Sequence, residues 1–327
     1  MRALVATRHG GPEVLSVRDA HPDPVPGPHD VLVEVHACAL NPVDWKVLAG
    51  HLGERPTPFV TGFDVSGVVR GLGASVAGWA PGDEVYASPS LARDGALAEL
   101  VCVDARLLAR KPRGLDHVGA AALPLVTLTA WEALFDRCQL GTDENVLIHA
   151  GAGGVGHVAI QLAKQRVARV LTTASRDESK ALCRGVGADV VIDHRAEDFV
   201  VRVLEETAGR GCEIVLDTVG GETFDRSLDC VAVNGRMATI VANESACVSQ
   251  KLLRRNATLH FEFMGVPGIH GIGRPAQVAI LANAAELADL GALRPHVGRE
   301  IALADVPAAL AELRGGHTTG KLVVRLR

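Results

Sequence analysis

The sequence predicts an α/β protein in which a β-rich unit accompanies a doubly wound parallel sheet. Three observations carry that reading. Up to about residue 120 the chain offers short β segments cut by Gly and Pro. From residue 123 onward apolar strands alternate with amphipathic helices, the pattern of a parallel sheet with right-handed crossovers. Within that alternation, Gly151-Ala152-Gly153-Gly154-Val155-Gly156 stands between an apolar run and an amphipathic stretch.

The elements follow in order. Strands at 3–7, 31–37, 67–70, 84–87 and 98–103 are separated by such segments as PDPVPGPHD and ERPTPF, where Pro fixes φ and withholds a ladder donor. A helix at 128–137 opens the alternating part, and strand 146–149 and helix 154–165 flank the glycine loop. Strands 170–173, 189–192, 213–217 and 236–241 then alternate with helices 178–185, 198–208 and 223–230. Segment 259–263 reads as the last strand of that sheet. A Gly/Pro-rich turn, a long helix at 275–290, a strand near Ile301, a helix at 306–314 and a strand at 322–325 complete the chain. This tail is expected to return to the first unit. Residues 1–122 and 268–327 would then form one discontinuous domain, and 123–267 the other.

Composition narrows the function. A chain of 327 residues has room for two buried cores. A net charge of −5 without a basic face argues against a nucleic-acid partner. Apolar stretches are broken short of the ~20 residues a membrane span needs. The opening MRALVATRHGG reads as a strand and has no signal-peptide core. Seven cysteines, scattered and without a CxxC pair, suit a reducing cytoplasm better than a disulfide framework or clustered zinc.

The glycine loop has the strand–loop–helix context that a dinucleotide site needs. Side chains there would keep a pyrophosphate from the helix N-terminus, whose N–H groups and dipole favour an anion. Sites for NAD place an acid about 20 residues beyond the loop, on the ribose hydroxyls. Here the residues 19 and 20 past Gly156 are Ser175 and Arg176, and Lys180 follows one helical turn later. A hydroxyl and two cations favour the 2′-phosphate of NADPH over NADH. Solvated first-turn charges, with Asp177 and Glu178 beside them, are the alternative.

Taken together, MRALVATRHGGPEVL, VHACALNPVDWKVLAG, TGFDVSGVV, GDEVYA, LPLVTLTAWEALF, IHAGAGGVG, DTVGGETFDRSLDC and HTTGKLVV resemble the medium-chain dehydrogenase/reductases, within them the zinc-free quinone oxidoreductase (zeta-crystallin-like) branch. The resemblance runs end to end. It implies a GroES-like β domain built from both termini around a Rossmann domain, with the active site in the cleft between them. Zinc-dependent members carry Cys where this chain has Asn41, His where it has Phe63, and Cys where it has Leu125. Those three side chains do not hold zinc, and the cysteines of the structural zinc lobe are also missing. Cys38 has no partner within reach along the sequence and reads as a small buried hydrophobe.

Without a Lewis acid for an alkoxide, reduction of an electron-poor C=C or a quinone by NADPH is the expected chemistry, with the proton taken from water. The resemblance places Thr129 near the nicotinamide and Gly151, Gly153, Gly154, Val155 and Gly156 under the pyrophosphate. It places Ser175, Arg176 and Lys180 on the 2′-phosphate, His194 near the adenine and Val219 beside the adenosine. Asn243, Phe263 and Met264 would approach the nicotinamide half, and Lys321 would reach the cofactor unless it is a strand-end surface lysine. Asn41 is the candidate amide near the substrate oxygen. Asp44 is either catalytic or the cap of a helical turn, and Lys46 is either an electrostatic stabiliser or a solvated loop lysine. Relatives carry Tyr around Trp45, Lys46 and Leu52, a departure that bears on small-quinone specificity. The competing readings are an enoyl-thioester reductase and a non-catalytic NADPH-binding relative. An apolar edge at 259–263 invites a two-fold homodimer, usual for the family.

Overall fold

The ten-residue strand Asp30–Ala39 organises the first of two units. Its alternating Val31, Val33, Val35 and Ala37 are fully buried, as β-branched residues on one pleated face favour. In this computed structural model, residues 1–242, 248–316 and 318–327 are described; Asn243 lies outside them. Met1–Leu125 and Gly265–Arg327 form the first unit, and Val126–Met264 form the second.

In the first unit Asp30–Ala39 pairs antiparallel with Val65–Leu72, Leu100–Asp104 and Lys321–Arg325. The last strand thus returns from the C-terminus to the middle of the sheet, and Val297–Ile301 lies parallel to it at the edge. Beyond Val65–Leu72 come Glu84–Ala87 and Leu108–Arg110. Close approach in this sheet depends on Gly67, where a Cβ would stand 2.0 Å from the Glu34 carbonyl oxygen. A smaller sheet of Leu15–Arg18, Ala3–Ala6 and Phe59–Val60 completes the β structure. Two of these strands, Phe59–Val60 and Leu108–Arg110, are too short to show a period in sequence.

The second unit is a six-stranded sheet whose pairings are all parallel. The strands are Asn145–Ile148, Arg169–Thr173, Val190–Ile192, Cys212–Asp217, Val231–Thr239 and Thr258–Phe261 in chain order. Along the sheet they run 3-2-1-4-5-6, so the direction of winding reverses between the first and the fourth. That switch point is where doubly wound sheets open a crevice at their carboxyl ends. Leu147, Leu171, Val215 and Met237 fill the core with Phe199 and Phe224.

One expected helix takes a different form. The helix foreseen at 128–137 is an α-helix only over Pro124–Trp131, and Glu132–Arg137 continue it with the wider π repeat. With the segment before it, His117–Arg137 is a 21-residue helical run apolar enough to cross a membrane. Most of its apolar window is buried within the protein, which makes it a core helix.

A histidine pair sits in the first unit. The His36 and His117 ring centroids lie 4.3 Å apart with the planes tilted by 49°, Ser66 Oγ bonds His117 Nδ1 at 2.8 Å, and Glu84 lies 3.3 Å from His117 Nε2. Burial first, and then His36, push His117 from 6.5 down to about 4. Between those values the unfolded chain takes up a proton that the folded chain refuses. This group's contribution to stability is therefore complete above about pH 6.5 and is lost as pH falls towards 4. Replacing His117 by Gln should flatten the decline of the urea midpoint across this window. A decline as steep as the parent's would refute it.

Candidate functional site

The carboxyl end of the parallel sheet presents the glycine loop. After Asn145–Ile148 the chain turns at Ala150, whose φ of +49° is left-handed. Gly153 N–H donates back to the Ala150 carbonyl at 2.8 Å, and Gly151 N–H donates to the Thr173 carbonyl at 3.1 Å. A Cβ on Gly151 would stand 2.1 Å from Thr172 Oγ1, and one on Gly156 would stand 2.3 Å from the Ala150 carbonyl oxygen. These two glycines are therefore demanded by the loop's own packing, whatever the loop binds. Gly153 is the N-cap of helix Gly154–Lys164, and no side chain caps it. The first-turn amides of Gly154, Val155 and Gly156 meet the positive end of the helix dipole, a geometry suited to a pyrophosphate.

At the end of the neighbouring strand Arg169–Thr173, Ser175 is half-buried and Arg176 is exposed. Lys180 N–H donates to the Arg176 carbonyl at 2.8 Å, so the two cations stand one turn apart. The Lys180 ammonium, however, is engaged by Asp193 at 2.5 Å and Asp177 at 3.5 Å. The sequence reading paired Lys180 with a phosphate and missed Asp193, a strand away. His194 is exposed just past Val190–Ile192. Val219 is half-exposed beyond Cys212–Asp217, on a turn held by Asp217, whose Oδ1 accepts from Val219 N–H at 3.0 Å and Gly220 N–H at 2.9 Å. Thr129 is buried in Pro124–Trp131, Met264 is buried, and Phe263 is exposed.

The first unit contains a different cluster. Lys321, 2% exposed, points its ammonium at the Leu40 carbonyl (3.0 Å), Asn41 Oδ1 (2.5 Å) and Asp64 Oδ2 (3.0 Å). Asn41 Nδ2 donates to Asp64 Oδ2 at 2.8 Å and to the Ala39 carbonyl at 3.3 Å. Asp64 Oδ1 accepts from Leu125 N–H at 2.7 Å. Asp44, fully buried, accepts from Asn41 N–H at 2.6 Å and Gly62 N–H at 2.9 Å. Burial raises Asp64 against the pull of Lys321. Burial also pushes Asp44 up to about 7, opposed by the Asn41 N–H.

One alternative left open by the sequence is corrected here. Lys321 is not a surface lysine, because it is buried with its three donors on Leu40, Asn41 and Asp64. Asn41 is 1% exposed with its amide bonded on both sides, and Asp44 caps helix Pro42–Leu48. Capping is one of the two roles the sequence leaves open for Asp44. Lys46 lies on the same helix, half-buried, 5.8 Å from the Trp45 ring centroid. Tyr86 is buried and its hydroxyl donates to the Leu281 carbonyl, so it packs rather than delivers a proton.

A zinc ion does not fit this donor set. Asn41 is committed to Lys321 and Asp64, and Phe63 and Leu125 have no ligating atom. Burial pushes the Cys38 thiol well up, away from thiolate. Among the described residues, His, Cys, Asp and Glu nowhere group in threes that could hold a metal.

Two family models match the chain: "Alcohol dehydrogenase GroES-like domain" over residues 27–113 and "Zinc-binding dehydrogenase" over residues 186–324. A quinone oxidoreductase of Pseudomonas aeruginosa is 34% identical, over 97% of this chain and 97% of that protein. The quinone oxidoreductase structure from Coxiella burnetii is 30% identical with a TM-score of 0.87, covering 100% of this chain and 99% of that one. A mycobacterial protein complexed with NADPH is 32% identical with a TM-score of 0.90, covering 99% and 100%.

Lys321→Met would strand Asp64 without its cation. It should lower the unfolding free energy by about 3 kcal/mol in urea titration. Adding Asp64→Leu should recover part of that loss; a double variant no better than the single would argue against the pairing.

Proposed function

Because the chain belongs to the medium-chain dehydrogenase/reductases, in the quinone oxidoreductase branch, we propose that it reduces a quinone or the activated C=C of an α,β-unsaturated carbonyl with NADPH and without zinc. One observation carries the reading. The uncapped helix Gly154–Lys164 faces a loop closed by glycines, and Ser175 and Arg176 follow the next strand where an acid would select NADH. The relative complexed with NADPH supports the choice.

The cofactor, when bound, supplies the hydride; the chain's residues bind and orient it. Amides of Gly154, Val155 and Gly156 take the pyrophosphate. Arg176, exposed at the start of helix Asp177–Gly185, is the principal 2′-phosphate partner, with the Ser175 hydroxyl beside it. Lys180 joins only by exchanging Asp193 for the phosphate. Asp44 and Asp64 have their oxygens turned inward, so the product's proton comes from water. Six described cysteines are buried free thiols, consistent with a cytoplasmic location.

A second copy completes the proposed assembly. Strand Thr258–Phe261 is the outer strand of its sheet, with Phe261 64% exposed, and antiparallel pairing of two such edges would bury it.

NADPH oxidation across quinones, enals, enones and enoyl-CoA, with metal analysis of the same preparation, tests the function. Turnover of quinones or enones by zinc-free protein is expected. Activity confined to enoyl-CoA, stoichiometric zinc, or tight NADPH binding without any turnover would each overturn it. Arg176→Ala should weaken NADPH about tenfold and leave NADH nearly unaffected; an equal effect on both removes the 2′-phosphate argument. Phe261→Lys should shift a dimer to a monomer in light scattering, and an unchanged mass would sink the edge-to-edge arrangement.

A further inference from the structure

Beneath the glycine loop lies a run of buried polar side chains that the dinucleotide itself would not touch. Ala150 N–H donates to Thr173 Oγ1 at 3.0 Å, and Thr173 Oγ1 lies 3.3 Å from His149 Nδ1. His149 Nε2 is 2.7 Å from Ser227 Oγ, which donates to the Thr223 carbonyl at 2.5 Å. Thr173, His149 and Ser227 are 4%, 1% and 0% exposed.

The direction of each bond follows from the two ends. Ser227 spends its proton on a carbonyl, so it accepts from His149 Nε2–H. His149 Nδ1 is then the acceptor for the Thr173 hydroxyl, and Thr173 keeps a lone pair for Ala150 N–H. Burial pushes His149 down to about 4, so the imidazole is neutral near pH 7, as this assignment of donors requires. Thr218 Oγ1 donates to the His149 carbonyl at 2.8 Å, tying the next strand's loop to the same residue.

What this run secures is one backbone angle. Ala150 is left-handed, a conformation that costs an alanine but not a glycine. The following residues depend on it, since the Ala150 carbonyl accepts Gly153 N–H and packs against Gly156.

We propose that Thr173 and His149 are positioning residues for the dinucleotide, holding Ala150 in the left-handed turn that aims the amides of Gly154, Val155 and Gly156 at the pyrophosphate. This rests on the reading of the loop as the NADPH site.

Binding and kinetics of Thr173→Val, Thr173→Ser and the double variant Thr173→Val/Ala150→Gly test it. Thr173→Val should raise the NADPH Kd about tenfold, with the effect in KM for NADPH rather than in kcat. Thr173→Ser should bind like the parent. The double variant should recover most of the loss, because glycine needs no tether to stay left-handed. Parent-like binding by Thr173→Val, or no recovery in the double variant, overturns the proposal. A readout on the unaltered protein covers a Thr173→Val chain that fails to fold. Without cofactor, the Ala150 amide should exchange as slowly as a strand amide, and exchange at loop rates overturns the proposal as well. If the parent binds neither NADPH nor NADH, the cofactor reading fails, while the Ala150 exchange still reports on the tether.

Discussion

Two carboxylates and one ammonium share a buried corner of the first unit, and that unit is built so that they are matched. Lys321 on the last strand reaches Asp64 and Asn41 more than 250 residues earlier. Asp44 draws Asn41 N–H and Gly62 N–H onto its two oxygens. Stranding any one of these groups would leave an unmatched charge in a low dielectric, which costs far more than the pairing yields. The C-terminal strand is therefore locked to the middle of the sheet by charge as well as by its ladder. The Asn41 side chain and the Leu125 amide surround the Lys321–Asp64 ion pair and bond to it.

The second unit meets the same constraint with hydroxyls, an imidazole and one carboxylate. At the carboxyl end of a parallel sheet the strands stop, and their last polar groups need partners. His149, Thr173, Thr218, Asp217, Thr239 and Ser227 supply them, binding the ends of adjacent strands to the turns that follow. The glycines permit the loop, and this polar layer keeps it in place. Such networks are rigid only when every member is satisfied, and this one fixes the loop from beneath.

Much of the fold was legible because it is written in local period. Asn145–Ile148 and Gly154–Lys164 announce themselves by an apolar run, a glycine cluster and an amphipathic repeat, and Val306–Arg314 was readable to the residue. The π segment Glu132–Arg137 was not, since its hydrogen-bond spacing leaves no mark that an α-helix would not. At the candidate site the residue types were readable and their partners were not. Ser175 and Arg176 could be counted from the loop, yet Asp193, which holds Lys180, lies just past another strand.

By itself, then, the sequence determined the α/β class, most of the order of elements and the glycine loop between strand and helix, because periodicity and glycine spacing act over a few residues. Only the tertiary structure decided that Asn41 and Asp44 face inward, that Lys321 is spent on Asp64, and that Ala150 rests on Thr173. Those outcomes depend on which side chains burial brings together, and the energy of a buried charge or hydrogen bond is set by partners distant in sequence rather than by neighbours along the chain.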